Sequence, residues 1–417
     1  MRILIFYPEN KLGMSDFRPT DYANLAERAR KELDGKIPNF GNKVWLQGII
    51  SEISTPENTY EYGYEELDSE YINANFDCVL LPLANCFHKS WIPYLEKRAS
   101  YVKQLKIPVY VIACGIQAES YDVLDSLIED VRGPATEFIK AVYNTGGEFA
   151  LRGYFTKEFF DRLGFKDAVV TGCPSIFQMG RDLKISNTKV DEKNFKAAIN
   201  GTFKLPVKDK DIAKADFICQ DVYGKVLYDP DYFQKNKFDL RRILKYVKRG
   251  DYDFIRAVAE NKIKLFADTQ QWLNYYVHND INFAFGRRIH GSIMPILAGV
   301  PALCYTLDAR TREMVEFFDI PGLLPCKNET KKSMYEWYCE TDYTKFNNGF
   351  AEKYDNFEKF LINCGLVKNI NQNNTFMQKD NADFILPYIV NQKHIDELKK
   401  DVDKYSVLIN LLNMLYS

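Results

Sequence analysis

The sequence predicts an α/β protein made of two doubly wound, Rossmann-like domains that face each other across a cleft, followed by C-terminal helices. Five strand and helix units alternate within the first 180 residues, which is typical of a parallel sheet with helices on both faces. The same alternation begins again near residue 195, after a polar, lysine-rich stretch. With 417 residues, 46% of them hydrophobic, the chain is long enough for two such domains.

The alternation also predicts the domain boundaries. The N-terminal domain covers residues 1–180, and a polar linker covers 181–194. The second domain covers 195–335, and a helical extension covers 336–417. Apolar residues recur at spacings of three and four over 395–412, so a last helix is expected there, packed on a domain rather than on a membrane or a partner.

The strands of both domains are predicted from short apolar runs that end at glycine, proline or polar residues. These runs cover residues 3–7, 78–83, 108–113, 148–151 and 168–171 in the first domain, and 195–199, 216–220, 263–267, 282–285 and 302–305 in the second. A helix is predicted over 44–50, and the acidic, tyrosine-rich stretch 51–70 is expected to face solvent.

Charge and cysteine content exclude several classes of function. The formal net charge is −2, so no nucleic-acid partner is expected. The nine cysteines form no C-x-x-C pair and several lie in apolar runs, which indicates buried thiols in a reducing compartment and no metal site. The beginning of the sequence lacks a signal-peptide pattern and no apolar run is long enough to span a bilayer, so a cytoplasmic protein is expected.

The stretch that carries the predicted function is residues 281–322. Its first strand ends at Gly286, and Arg287, Arg288 and His290 follow at once. Ligands of open parallel sheets bind just beyond the carboxyl ends of the strands. The next helix directs its free N–H groups and the positive end of its dipole to the same place. The stretch therefore predicts an anion site, although basic residues in an ordinary surface turn would give the same pattern.

The helix of this unit is predicted over residues 292–298. Ser292 is the expected N-cap, because Pro295 is tolerated in a first turn, where its missing N–H would have no partner. Arg288 and His290 would then lie just before the helix and face the ligand.

The same residues resemble the signature of a known family. The sequence Gly286-Arg287-Arg288-Ile289-His290-Gly291, followed by Ala298-Gly299-Val300-Pro301, is similar to that of the polysaccharide pyruvyltransferases. The resemblance runs from about residue 1 to residue 322 and implies a GT-B-like arrangement of the two domains. It also implies transfer of the pyruvyl group of phosphoenolpyruvate to two hydroxyls of one sugar, forming a cyclic ketal, in surface or capsular polysaccharide biosynthesis.

The resemblance and the chemistry of the donor assign roles to the basic residues. Arg288 and His290 are predicted to be catalytic, and Arg152, Arg287, Arg288 and Gly291 are predicted to bind the donor. Arg152 follows the strand over 148–151, so it would come from the first, acceptor-side domain. Arginine forms bidentate pairs with both carboxylate and phosphate. The histidine, which titrates near neutrality, would protonate the methylene carbon of the donor or donate to the departing phosphate.

Further contacts are predicted with less specific signals, since each of these residues would serve equally well as a cap, a turn or a surface ion pair. The candidates for acceptor or secondary contacts are Asn39, Gly41, Asn42, His88, Gly115, Asp308, Arg310 and Arg312. The family motif N-x-G-D corresponds to residues 39–42, with Asn42 in place of the aspartate. The base for the acceptor hydroxyl stays open among Asp221, Asp268 and Asp308.

No cofactor is expected, since phosphoenolpyruvate is the donor substrate. The expected partners are phosphoenolpyruvate and a saccharide, with a lipid-linked oligosaccharide as one form of acceptor that would bring the enzyme to the inner membrane face. Two alternatives stay open. A nucleotide-sugar glycosyltransferase would share the architecture, although the chain has no G-x-G-x-x-G loop. A non-catalytic sugar-binding scaffold would agree with Asn42 and with the missing glycine pair near residue 84.

Overall fold

A computed structural model describes residues 1–6, 41–63, 67–201, 204–220, 262–266, 269–326 and 330–368, together with residues 257, 260, 396, 399, 400 and 404. The predicted helix over 395–412 therefore lies almost wholly outside the described residues.

The first domain is built on a parallel sheet of six strands. The strands are β1 (Arg2–Phe6), β2 (Thr59–Gly63), β3 (Cys78–Pro82), β4 (Val109–Cys114), β5 (Phe149–Leu151) and β6 (Val169–Val170). Their order in the sheet is β2-β1-β3-β4-β5-β6. The helices between them are α1 (Gly41–Ile53), α2 (Ser69–Asn75), α3 (Ile92–Val102), α4 (Leu124–Asn144) and α5 (Tyr154–Arg162).

The second domain contains another six-stranded parallel sheet. Its strands are β7 (Ala197–Asn200), β8 (Asp216–Cys219), β9 (Ile263–Leu265), β10 (Phe283–Gly286), β11 (Ala302–Tyr305) and β12 (Gly322–Leu323), in the order β12-β11-β10-β7-β8-β9. The described helices are α6 (Asp209–Ile212), α7 (Thr269–His278), α8 (Ile289–Leu297), α9 (Ala309–Phe318), α10 (Met334–Glu340) and α11 (Thr344–Asn363).

The alternation of side chains along β1 shows why the first sheet is covered on both faces. Ile3 and Ile5 belong to one buried apolar cluster, whereas Leu4 and Phe6 belong to a second cluster on the opposite face. The predicted α/β fold with doubly wound parallel sheets is confirmed. All ten predicted strands are present, with described ends that differ by at most two residues, and the predicted ends at residues 7 and 267 lie outside the described residues.

The sequence missed two edge strands, β2 and β12. Residues 51–53 belong to α1 and residues 59–63 form β2, so the stretch 51–70 is not wholly a solvent-facing segment as predicted. The prediction failed because β2 carries alternating tyrosine and glutamate side chains at the sheet edge, where three of its five residues are exposed. Its backbone nevertheless pairs with β1 in parallel.

A single apolar cluster joins the two sheets. It runs from Ile5 in β1 through Trp45 in α1 and Ile293 in α8 to Ala284 in β10. The carboxyl ends of strands from both sheets therefore meet at one place. This arrangement places His290 of the second domain within 3.9 Å of Cys173 of the first, measured from Nε2 to Sγ.

The helix α11 returns from the second domain to the first. Asn356 Nδ2 donates to the carbonyl oxygen of Val170 at 2.7 Å, and Tyr354 donates through its hydroxyl to Glu52 at 3.3 Å. Phe177, which follows β6, is surrounded by aromatic rings of α11, including Phe357 at 5.3 Å between centroids. Because α11 also contacts α9 of the second domain, the extension links the two domains.

Candidate active site

The turn between β10 and α8 carries the central residues. α8 begins at Ile289 with Arg288 as its N-cap, so the prediction that Ser292 caps the helix is wrong. His290 lies in the first helical turn rather than before it, and Pro295 lies inside the helix. The helix tolerates this proline because all nine of its residues are buried, and apolar packing offsets the missing backbone hydrogen bond.

Asn200, at the end of β7, holds this turn in place. Its side-chain Oδ1 accepts the backbone N–H of Arg288 at 2.9 Å, and its backbone carbonyl oxygen accepts the N–H of Arg287 at 3.2 Å. A Cβ added at Gly291 would lie 2.6 Å from Asn200 Cγ, and one added at Gly286 would lie 2.5 Å from its Oδ1. The glycines on either side of the turn therefore make room for this asparagine.

His290 is buried, with 7% of its surface exposed. Its Nε2 lies 3.9 Å from Cys173 Sγ, which also receives a hydrogen bond from Ser175 Oγ at 3.1 Å. Burial lowers the pKa of His290 well below its ordinary value, and the positive charges of Arg152 and Arg310 lower it further. The imidazole is therefore neutral at neutral pH.

Arg152, at the end of β5, is buried with only 2% of its surface exposed. Its backbone N–H donates to the carbonyl oxygen of Cys114 at 2.8 Å, and its Cζ lies 5.6 Å from the centroid of the Trp45 ring. Nε and Nη2 are buried and have no hydrogen-bond partner among the residues that the structure describes. Unsatisfied donors of a buried cation are costly, and such groups point to a functional role.

The end of β4 is shaped to admit the Arg152 side chain. A Cβ added at Gly115 would lie 3.1 Å from Arg152 Cδ and 2.8 Å from the carbonyl oxygen of Ala84, so glycine is needed for this close approach. Ala113, two residues earlier, has a positive φ of 58°, which a residue with a side chain rarely adopts. Strained backbone of this kind is often found at ligand sites.

A third arginine reaches the site from the start of α9. Asp308 is the N-cap of this helix, where its Oδ1 accepts the N–H of Thr311 at 2.7 Å and its Oδ2 accepts Nη2 of Arg310 at 3.2 Å. Burial lowers the pKa of Arg310, and the charges of Arg152 and Arg288 lower it further, against the opposing effect of Asp308. The charges of Arg152 and Arg288 therefore both oppose the charge of Arg310.

Glu313 of α9 is a buried carboxyl that the sequence reasoning missed. It reaches across to the first domain, where its Oε2 accepts the backbone N–H of Thr156 at 3.0 Å and the Thr156 hydroxyl at 2.9 Å. Burial raises the pKa of Glu313 to about 7, although the hydrogen bonds from Thr156 and the charge of Arg152 act in the opposite direction. Its place in a charged, amphipathic segment gave no signal that it would be buried.

Comparison with known proteins now identifies the family. The family model described as "Polysaccharide pyruvyl transferase" matches residues 12–308. The chain belongs to the polysaccharide pyruvyl transferase family. A comparison with curated proteins gives no match. Among solved structures, this pyruvyl transferase is similar to the glycosyltransferase SnogD from Streptomyces nogalater, with 10% identity, 87% of this chain and 99% of that chain covered, and a TM-score of 0.32.

The residues predicted for the pyruvyl transferase site fall into three groups. His290, Arg152 and Arg310 come together, with Arg288 and Gly291 in the same turn. Arg310 and Glu313 lie beyond the matched residues 12–308.

Other predicted residues lie in different surroundings. Arg287 is exposed. Nδ1 of His88 accepts the N–H of Ser90 at 3.2 Å as the cap of a short 3₁₀ helix. Arg312 Nε donates to Glu316 at 2.6 Å, so its guanidinium group is already held by a carboxylate on its own helix.

The remaining candidates lie at α1 or outside the described residues. Gly41 and Asn42 are the first two described residues of α1. Asn39, Asp221 and Asp268 lie outside the described residues. Asp308 is described, but its two oxygens already serve as a helix cap and as the partner of Arg310.

The described residues contain no candidate metal site and no membrane-spanning helix. Among them, no three His, Cys, Asp or Glu residues lie in a group that could hold a metal ion. Within the described ranges, every helix is either too short or too polar to cross a bilayer.

Proposed function

We propose that this chain transfers the pyruvyl group of phosphoenolpyruvate to two hydroxyls of one sugar, forming a cyclic ketal and releasing phosphate. The observation that carries the proposal is the buried Arg152 guanidinium, whose Nε and Nη2 donors have no partner among the described residues. It lies close enough to His290 and Arg310 to lower the pKa of both. A small ligand with several negative charges would satisfy these donors.

The charges near the site suit such a donor. Arg152, Arg288 and Arg310 contribute three positive charges, and Asp308 pairs with one of them. Glu313 keeps its proton up to about neutral pH. An excess of positive charge therefore remains for the carboxylate and phosphate of phosphoenolpyruvate, both of which arginine binds in a bidentate manner. The N-terminus of α8 adds free N–H groups at the same place.

His290 is proposed to move the proton. Before the donor binds, the imidazole is neutral, because burial and two neighbouring arginines oppose its protonation. The negative charges of the bound donor reverse this electrostatic effect and raise the histidine pKa. The imidazole then carries a proton beside the methylene carbon of the donor, where a general acid is needed.

The proposed chemistry balances without an added reactant. A proton from His290 adds to the methylene carbon, which becomes a methyl group. The first sugar hydroxyl forms a C–O bond with the adjacent carbon, and the proton that it gives up replaces the one that His290 donated. The second hydroxyl then forms its C–O bond as the bond to the phosphate oxygen breaks. Its proton leaves with the phosphate. Arginine side chains stabilise the charge on the departing group.

The acceptor and the place of action are proposed from family membership. We take the acceptor to be a saccharide of a surface or capsular polysaccharide, either free or lipid-linked, which the enzyme meets on the cytoplasmic side, with peripheral contact to the inner membrane face. Family membership supports polysaccharide as the substrate class.

The test is incubation of the protein with phosphoenolpyruvate and a panel of saccharides, with detection of phosphate release and of the ketal by mass spectrometry. His290→Gln and Arg288→Gln should abolish both products in folded protein. Arg312→Gln, which removes a guanidinium already held by Glu316, is the matched control and should stay active. Consumption of sugar nucleotides in place of phosphoenolpyruvate would contradict the proposal and favour a glycosyltransferase.

A further inference from the structure

The side-chain amide of Asn200 is buried. Its oxygen accepts a hydrogen bond, whereas its nitrogen has no acceptor among the described residues. Its Oδ1 accepts the N–H of Arg288, as described above. Nδ2 is buried and has no hydrogen-bond partner within the described part of the chain, and the residue as a whole is 1% exposed. A buried N–H donor without an acceptor opposes folding, so its presence in a stable core points to an acceptor that binds later.

The position of this amide indicates what that acceptor is. Asn200 Oδ1 would lie 2.5 Å from a Cβ at Gly286 and 2.8 Å from one at Gly291, so the amide fills the space between the end of β10 and the first turn of α8. The free N–H groups of α8 are directed to the same region, which favours negative charge. His290 belongs to this helical turn.

We infer that Asn200 binds the anionic donor. Its carbonyl oxygen fixes the turn that carries Arg288 and His290, and its amide N–H donates to a carboxylate or phosphate oxygen of the ligand. The inference rests on the proposed function, since phosphoenolpyruvate supplies that oxygen. Oδ1 of Asn200 thus holds the turn in place, while Nδ2 of the same side chain binds the donor.

Asparagine can both accept the N–H of Arg288 and donate a hydrogen bond to the ligand, whereas ionised aspartate can only accept. A carboxylate at position 200 would still accept the N–H of Arg288, but it would place a negative oxygen where the N–H donor had been. Asn200→Asp therefore preserves the turn and removes the contact with the donor. A serine or alanine would disturb both and would not separate them.

Asn347 offers a matched control elsewhere in the chain. Its Oδ1 accepts the backbone N–H of Ile185 at 2.9 Å, as Asn200 does for Arg288, but its Nδ2 already donates to the carbonyl oxygen of Ile185 at 2.8 Å. Asn347→Asp breaks an existing hydrogen bond far from the proposed donor. It should lower the unfolding temperature and leave donor affinity unchanged.

The experiment is calorimetric titration of the wild type, Asn200→Asp and Asn347→Asp with phosphoenolpyruvate at low and at high salt. Asn200→Asp should weaken binding at least roughly tenfold at both salt concentrations, because salt screens interactions between buried groups only weakly. Equal affinity in the wild type and Asn200→Asp, or a loss that vanishes in high salt, would overturn the inference. If the wild type itself binds no phosphoenolpyruvate, the proposed function fails instead.

A second measurement uses only the wild type, so it tests the inference even if Asn200→Asp does not fold. With ¹⁵N-labelled asparagine, the side-chain amide resonances of Asn200 should shift when phosphoenolpyruvate is added, while those of Asn347 should not. Asn200 resonances that stay unchanged at saturating donor would overturn the inference even if Asn200→Asp failed to fold.

Discussion

Replacing Glu313 by glutamine should remove a pH dependence of folding that this carboxyl creates. Glu313 is 2% exposed and is bonded to Thr156 through both the backbone N–H and the hydroxyl. Glutamine has nearly the same shape and can still accept these hydrogen bonds, but it cannot ionise. The substitution therefore isolates the effect of ionisation from the effect of packing.

The magnitude follows from the pKa of Glu313. Burial raises it from 4.5 to about 7, so the folded protein keeps the proton in a range where the unfolded chain has lost it. The stability associated with the protonated form is complete below about pH 4.5 and is lost as the pH rises through about 7. At about 1.4 kcal/mol for each unit of pH between the two pKa values, the total is about 3 kcal/mol.

Urea unfolding at about pH 5 and about pH 8 measures this effect. Over that interval the wild type should lose about 2.5 kcal/mol more free energy of unfolding than Glu313→Gln. The pH dependence contributed by His290 is present in both proteins and cancels to first order. Glu316→Gln, an exposed glutamate of the same helix, should behave like the wild type. Parallel pH profiles for the wild type and Glu313→Gln would refute the buried, proton-retaining state of Glu313.

Three further predictions concern the donor and the turn. Arg152→Gln should weaken phosphoenolpyruvate binding by roughly 2–4 kcal/mol in calorimetry, because it removes a desolvated charge, and an unchanged affinity would show that Arg152 does not contact the donor. At about pH 6, donor binding should be accompanied by uptake of a proton, because the bound anion raises the depressed pKa of His290. Calorimetric titrations in buffers of different ionisation enthalpy measure this uptake. His290→Gln should abolish it. Gly286→Ala should destabilise the protein by roughly 1–3 kcal/mol in urea unfolding, because the added methyl group meets Asn200. A free energy of unfolding that stays unchanged in Gly286→Ala would contradict this packing of the turn.

The strands of the core could be predicted because each is a local feature of the sequence. A run such as Val109–Cys114 is apolar throughout, and all six of its residues are buried in the structure. The start of α8 could not be predicted in the same way. Pro295 suggested a first-turn position, whereas the buried packing of the whole segment extends the helix back to Ile289. Tertiary contacts decided this boundary against the local rule.

The candidate site could be predicted in part for the same reason. Arg288 and His290 stand beside recognisable glycines in one short stretch, and Arg152 follows a clear strand. Asn200 and Glu313 gave no such signal, because their roles depend on partners that are distant in sequence. Asn200 bonds a residue 88 positions later, and Glu313 bonds a residue 157 positions earlier. Nothing local distinguishes a residue that will meet such a partner from one that will face water.

The apolar cluster shared by the two sheets has a consequence for how the halves depend on each other. Trp45 and Ile293 come from different domains yet lie in the same dry interior, 5% and 0% exposed respectively. Cutting the chain between the domains would expose an apolar surface of each fragment to water. The protein should therefore unfold in one cooperative transition, and neither domain should fold stably on its own. The contact that keeps the two domains folded also holds Arg152 of the first domain close to His290 of the second.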